Sequence, residues 1–333
     1  MARVLIFGTG SIGTLYAYVL WRAGASVVCV CRSNYREAKE NGFTIRSTIF
    51  GDHTFKPEIA LSIDNAGASH NHHFDYVIVC TKAFPDSKPN PAELIAPAIE
   101  SSPGATIILI QNGIGIEEPY AQLYPNNFII SAVTYSPSTQ VSPVEIRHTE
   151  SVRLCVGSFP AAKDDPRVAH FSELINLGGG RAETYPDIQI ERWKKLIANA
   201  TWNPICSLSR CRDVEFLSAS PFAFDCAKDV MREIVAVGVA VLGPGALDGS
   251  AIDAQLERTA NRAWPGVEPS MMSDMLSGKR METMAIIGEV VRLARKHAVS
   301  TPRTETLYVL VSALDWAIQQ KHPGSSGNLT KAG

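Results

Sequence analysis

Arg3-Val4-Leu5-Ile6-Phe7-Gly8-Thr9-Gly10-Ser11-Ile12-Gly13 decides the fold. A short apolar run reads as a strand, G-x-G-x-x-G follows at once, and from Ser11 to about Ala23 the pattern turns helical. The first glycine of such a motif permits a tight turn, and the second lets backbone approach a pyrophosphate. The third lets helix and strand pack closely. The helix N-terminus adds positive potential. A glycine-rich turn without ligand is the bland alternative, and the strand–turn–helix context weighs against it. Gly8, Thr9, Gly10, Ser11, Ile12 and Gly13 are therefore expected to hold a dinucleotide.

Working outward, residues 27–31 read as the second strand. Sites for NAD place an acid at its end, about 20 residues past the glycines, against the ribose 2′-hydroxyl. Here the chain reads Cys31-Arg32-Ser33-Asn34-Tyr35-Arg36, without an acid. Arg32 can bind a 2′-phosphate through a charge-assisted bond and stack on the adenine. The pattern predicts NADP, with a solvated surface arginine as the alternative. Residues 76–81 and 106–110 are further β-branched apolar runs. Strands apolar on both faces and separated by helical segments imply a parallel sheet covered on both sides. Residues 128–157 suggest a few extra strands closing this part.

From about residue 188 the pattern becomes helical, over roughly 188–203, 221–242, 250–262, 270–297 and 302–320. Thr301-Pro302 is a good helix start. The reading is an α/β Rossmann-type nucleotide-binding domain over 1–187 followed by an all-helical domain over 188–333. The tail 322–333 reads as disordered. The polar, His-rich stretch 66–74 reads as a surface loop. Its His70, His72 and His73 lack an ordered scaffold for a metal.

Composition limits the partners. The chain has 333 residues and a formal net charge of −2, so no global basic field recruits nucleic acid or an anionic membrane. The longest apolar stretch, 234–242, is too short to span a bilayer. The seven cysteines are odd in number and lack CxxC spacing, which favours a reducing compartment over a disulfide scaffold or zinc site. The chain opens directly on a strand, so a cytosolic, soluble protein is expected, and the cysteine spacing and unscaffolded histidines give no reason to expect a metal. The composition is compatible with a homodimer.

The run Trp193-Lys194-Lys195-Leu196-Ile197-Ala198-Asn199-Ala200-Thr201-Trp202-Asn203-Pro204 is the most informative stretch of the second half. Lys195, Asn199 and Asn203 are spaced i, i+4, i+8 and share one helix face. A lysine and two carboxamides in one row can grip a small polar molecule, or form a solvated polar face. Further on, Met275, Glu282, Ile286, Val290 and Leu293 fall on one expected helical stripe. A glutamate on such a stripe needs a partner or a proton, either as a functional group or in a structural ion pair.

Taken together, these residues resemble the ketopantoate reductase (2-dehydropantoate 2-reductase) family. Gly8–Gly13, Val79-Cys80-Thr81-Lys82-Ala83 and Gln111-Asn112-Gly113 occur in the family's order and close to its spacing. So do Lys195-Leu196, Asn199, Asn203-Pro204, and Ser270-Met271 with Glu282. The resemblance spans nearly the whole chain. It implies a Rossmann domain and a helical domain with the active site in the cleft between them. It further implies NADPH-dependent reduction of a 2-oxo acid to a 2-hydroxy acid, ketopantoate to pantoate first among them, as in pantothenate biosynthesis. By this resemblance Lys195 is the general acid, and Asn199, Asn203 and Ser270 hold the substrate. Glu282 lies by the nicotinamide end and the substrate, Lys82 contacts the cofactor, and Asn112 lies against cofactor and substrate.

The match has departures. After Asn203-Pro204 the family shows a Thr-Ala-Leu run and later an Asn-Gly pair that helps bind substrate. Here the chain reads Ile205-Cys206-Ser207-Leu208 and then Arg212-Asp213-Val214. An aspartate there sets a negative charge near an anionic substrate unless it turns away, so pantoate itself is in doubt. Rival readings are another Rossmann-plus-helical hydroxy-acid dehydrogenase and an NADPH-binding sensor without turnover.

Overall fold

Val4, Leu5 and Ile6 are fully buried: their strand has hydrogen-bonded neighbours on both sides, and helices cover the faces of a parallel sheet. The structure, a computed structural model, describes residues 1–68 and 73–321. Its strands, in chain order, are β1 (Arg3–Phe7), β2 (Ser26–Val30), β3 (Phe43–Ser47), β4 (Gly51–Phe55), β5 (Glu58–Ala60) and β6 (Tyr76–Val79). They continue with β7 (Thr106–Leu109), β8 (Ile129–Thr134), β9 (Ser138–Ser142), β10 (Glu145–His148), β11 (Arg153–Phe159) and β12 (Arg181–Thr184).

Eight of them form one sheet in the order β12-β11-β8-β7-β6-β1-β2-β5. Its pairs are parallel except β8 with β11. The chain leaves β1 for β2 on one side and later returns to β6 on the other. The strand order therefore reverses beside β1, and such a switch point opens a crevice at the carboxyl ends of the strands. The helix Ser11–Arg22 packs Leu15, Tyr16, Val19 and Leu20 into the core of this unit. The Tyr16 hydroxyl meets the Thr134 hydroxyl at 2.8 Å, and burial pushes its pKa up to about 12.

The strands expected within 128–157 are β8 to β11, but only β8 and β11 join the large sheet. A second sheet, β4-β3-β10-β9, combines the middle pair, β9 and β10, with a β3–β4 hairpin that the sequence reading did not separate from its surroundings. In the stretch read as a loop from 66, residues up to Ala68 belong to the helix Ile63–Ala68. His70 and His72 lie outside the described residues, as does the tail 322–333.

The described residues divide into two compact units. One holds residues 1–83, 89–111 and 116–188, and contains both sheets. The other holds 84–88, 112–115 and the chain from 189 onward. The second unit is helical, through Ile188–Ser209, Asp213–Ala219, Ala223–Leu242, Ser250–Ala260, Ser270–Leu276, Glu289–Lys296 and Pro302–Lys321. Trp193, Leu196, Ile197, Met231, Ile234, Val237, Ile287 and Val290 form its core. No helix among the described residues is long and apolar enough to cross a membrane.

Two helical expectations need correction. The helix expected to end at 203 runs on through Pro204 to Ser209. The Asn203 side chain, just before the proline, donates to the Asn199 carbonyl at 3.0 Å. The helix expected over 270–297 is broken instead. It stops at Leu276, where Ser277-Gly278 closes the turn, and restarts as a π-helical segment at Met284–Gly288. Glu282 therefore sits in the link between helices and not on a continuous stripe.

Candidate active site

The glycine loop follows β1 directly. Gly8 adopts φ +103°, and a Cβ there would lie 2.5 Å from the Thr81 nitrogen. A Cβ on Gly13 would collide with the Gly8 carbonyl oxygen. At Gly10, by contrast, an added Cβ would meet nothing within 4 Å. Two glycines are thus needed for packing, while the backbone at the middle one faces open space, as a pyrophosphate cradle requires. Ser11 begins the helix and Ile12 is half-buried behind it. Thr9 stitches the loop to β2, its hydroxyl donating to the Val30 carbonyl at 3.3 Å and lying 3.3 Å from Cys31 Sγ.

Arg32 and Lys82 are exposed just past β2 and β6, the two strands that flank β1. Glycine loop and both cations therefore follow the carboxyl ends of adjacent parallel strands. Burial pushes the Cys31 thiol up to about 11, so it stays neutral beside Arg32. The residues fit a dinucleotide with an anionic group near Arg32.

In the second unit, Lys195 is half-buried and its ammonium donates to Asn112 Oδ1 at 2.8 Å. Asn112 belongs to the short segment Asn112–Gly115, which is anchored at several points. The Arg192 guanidinium donates to the Gly113 carbonyl at 3.0 Å. The Ile114 N–H donates to the Ala285 carbonyl at 3.2 Å, within the π-helical segment. Gly113 adopts φ +97°, and a Cβ there would collide with the same Ala285 carbonyl oxygen. One ammonium direction is thereby fixed on Asn112. Lys194, the neighbour, turns elsewhere and pairs with Glu191 at 2.7 Å.

Asn203 does more than sit in the row. Its Oδ1 accepts the Met271 N–H at 3.0 Å and the Ser270 hydroxyl at 3.4 Å. It therefore caps the helix Ser270–Leu276 from another element and fixes Ser270, which is itself exposed at the helix start. Asn199 is half-buried on the same face, between Lys195 and Asn203.

Glu282 is 4% exposed. Its segment is held at neighbouring positions: Met281 N–H donates to Asp315 Oδ1 at 2.7 Å, and Arg280 donates to Asp86 at 2.6 Å. The Arg280 guanidinium also lies 4.3 Å from the centre of the Phe84 ring. Burial raises the Asp315 carboxyl above its ordinary range.

Asp213, the departure from the family pattern, turns inward. It is 1% exposed, pairs with Arg262, and accepts the Val267 N–H at 2.7 Å and the Val214 N–H at 2.9 Å. Its charge is neutralised inside the unit.

The structure thus joins Lys195 to Asn112 and Asn203 to Ser270, and places Asn199 and Glu282 in the same unit. The glycine loop, Arg32 and Lys82 follow three adjacent strands of the other unit. Sequence reasoning missed Arg192 and Asp315. Arg192 had a weak signal, three residues before Lys195 on the same face; Asp315 had none. Among the described residues no cluster of histidine, cysteine or acid could hold a metal, and all seven cysteines are free.

A nucleotide loop at a switch point and a lysine–carboxamide site on a helical unit define a two-domain oxidoreductase. The chain belongs to the ketopantoate reductase family: the model for ketopantoate reductase PanE/ApbA matches residues 4–161, and that for its C-terminal part matches 187–315. The 2-dehydropantoate 2-reductase of Nostoc sp. is 26% identical, over 94% of this chain and 95% of its own. The crystal structure of 2-dehydropantoate 2-reductase from Methylococcus capsulatus is 30% identical, with a TM-score of 0.83 over 95% of this chain and 97% of that one. D-mandelate dehydrogenase, solved with NADH and anilino(oxo)acetate, shares the fold at 20% identity and a TM-score of 0.80, over 95% of this chain and 99% of its own.

Proposed function

We propose that the protein reduces the keto group of a small 2-oxo acid to a hydroxyl, with NADPH as reductant and ketopantoate as the first candidate substrate. The observation that carries the reading is the Lys195 ammonium held on Asn112 at the head of the Asn199–Asn203 row. Gly8 to Gly13, Arg32 and Lys82 would hold the cofactor, which supplies a hydride when bound.

Reduction of a ketone builds negative charge on its oxygen. Lys195 stabilises that charge and delivers the proton from Nζ, while Asn112 sets the direction of the remaining N–H bonds. Asn199 and the Ser270 hydroxyl orient the substrate's carboxylate and hydroxyl groups. Asn203 acts on the same end by holding Ser270. Glu282 supplies a buried carboxyl beside the reacting groups. An NADPH-binding sensor without turnover would have no need of a proton donor aimed into this row.

Asp213 favours a second reading, in which another small 2-oxo acid is the true substrate. With its oxygens taken up by Arg262 and two backbone N–H groups, it offers a substrate neither an amide donor nor a free charge. Oxidation of NADPH, followed by nicotinamide absorbance against a panel of 2-oxo acids that includes ketopantoate, tests both. Turnover of ketopantoate above the rest supports the first reading. Turnover of none overturns both.

A further inference from the structure

We propose that Arg192 is a positioning residue for reduction, aiming the Lys195 ammonium by holding the backbone next to Asn112. The inference rests on the reading of Lys195 as proton donor. Arg192 and Lys195 lie three residues apart on the helix Ile188–Ser209, so their side chains leave the same face. They reach the same short segment at adjacent residues. Arg192 takes the Gly113 carbonyl at 3.0 Å, and Lys195 takes the Asn112 side chain at 2.8 Å.

Arg192 is 3% exposed, an unusual place for a guanidinium. Filling the core would need no charge, whereas fixing a carbonyl calls for a strong, rigid donor. On the far side of the segment, the Ala285 carbonyl takes the Ile114 N–H and leaves no room for a Cβ on Gly113. The peptide is gripped from a helix on one side and a π-helical turn on the other. Such turns recur at functional sites. Asn112 Oδ1 has its place set by these two grips, and the ammonium follows Asn112. Lysine at 192 would keep the charge but lose the planar fork, so it should not fully substitute.

The test uses Arg192→Lys and Arg192→Met in the full chain, with Gly113→Ala as a variant that disturbs the same segment from the Ala285 side. The first readout needs neither cofactor nor turnover. It is trace acylation of Lys195 relative to the exposed Lys296, measured by peptide mass spectrometry. Release of Lys195 from Asn112 should raise that ratio by about tenfold, the worth of one charge-assisted hydrogen bond. The milder Arg192→Lys should fall between wild type and Arg192→Met.

The second readout is kinetic. Misplacement of the proton donor should lower kcat by on the order of 10²-fold with KM for NADPH nearly unchanged. The primary isotope effect with deuterated cofactor should rise as chemistry becomes limiting. A merely structural arginine would lower the thermal midpoint and leave both the acylation ratio and the isotope effect at wild-type values. That result in folded Arg192→Met or Arg192→Lys overturns the proposal. Should wild type turn over no 2-oxo acid, the proposed function fails, and the acylation ratio still decides whether Arg192 controls Lys195.

Discussion

Asn203 caps a helix to which it does not belong: its Oδ1 accepts the N–H of Met271 at 3.0 Å, at the first turn of Ser270–Leu276. That helix starts at Pro269-Ser270 with no cap from its own side chains. The proposed substrate-end role and the framework role therefore meet in one carboxamide.

Asn203→Ala should change both. Loss of a cap costs about 0.5–2 kcal/mol, so the thermal midpoint should fall. With Ser270 released, KM for the 2-oxo acid should rise while the Kd for NADPH stays put. Differential scanning calorimetry beside steady-state kinetics checks the pair. A lower midpoint with an unaltered KM would leave Asn203 as a cap alone.

Arg32 should set cofactor preference. NADPH is expected to exceed NADH by about tenfold in kcat/KM, about 1.4 kcal/mol from one charge-assisted contact. Arg32→Ala should raise KM for NADPH and leave the NADH rate nearly unchanged. Equal efficiency with both cofactors in wild type would remove the assignment.

Asp315 makes stability depend on pH. Its folded pKa lies above the ordinary value of 3.8, chiefly through burial. The raised group contributes stability that is fully present below about pH 3.8 and is lost as pH rises through the folded value. Wild type should therefore lose ground to Asp315→Asn between pH 4 and neutrality, about 1.4 kcal/mol for each unit by which the folded value is raised. Urea denaturation across that range reads the difference. Parallel stability curves would show that Asp315 is not raised.

The Rossmann core was legible because its signals are local. β1, the glycine loop and the first helix follow one another within twenty residues, and buried parallel strands carry unbroken apolar runs such as Tyr76–Val79. The β3–β4 hairpin was not legible, since Gly51–Phe55 is mostly exposed and polar and owes its strand to pairing with β3. Lys195, Asn199 and Asn203 showed themselves through helical spacing. What Asn203 and Asp213 do with their oxygens depends on Met271 and Arg262, which lie 68 and 49 residues away. The break before Glu282 had its sign in Ser277-Gly278, but the apolar stripe on both sides outweighed it.

The most direct measurement is the turnover of Lys195→Ala beside Lys194→Ala. The two lysines are adjacent, about 100° apart around the helix, and only Lys195 meets Asn112, while Lys194 pairs with Glu191. Removal of Lys195, the proposed general acid, should lower kcat by on the order of 10²–10⁴-fold. Lys194→Ala should change kcat by no more than the equivalent of about half a kcal/mol. Cofactor binding, followed by nicotinamide fluorescence, should survive both changes. Near-normal turnover in Lys195→Ala would contradict the account, because the proton would then come from another group.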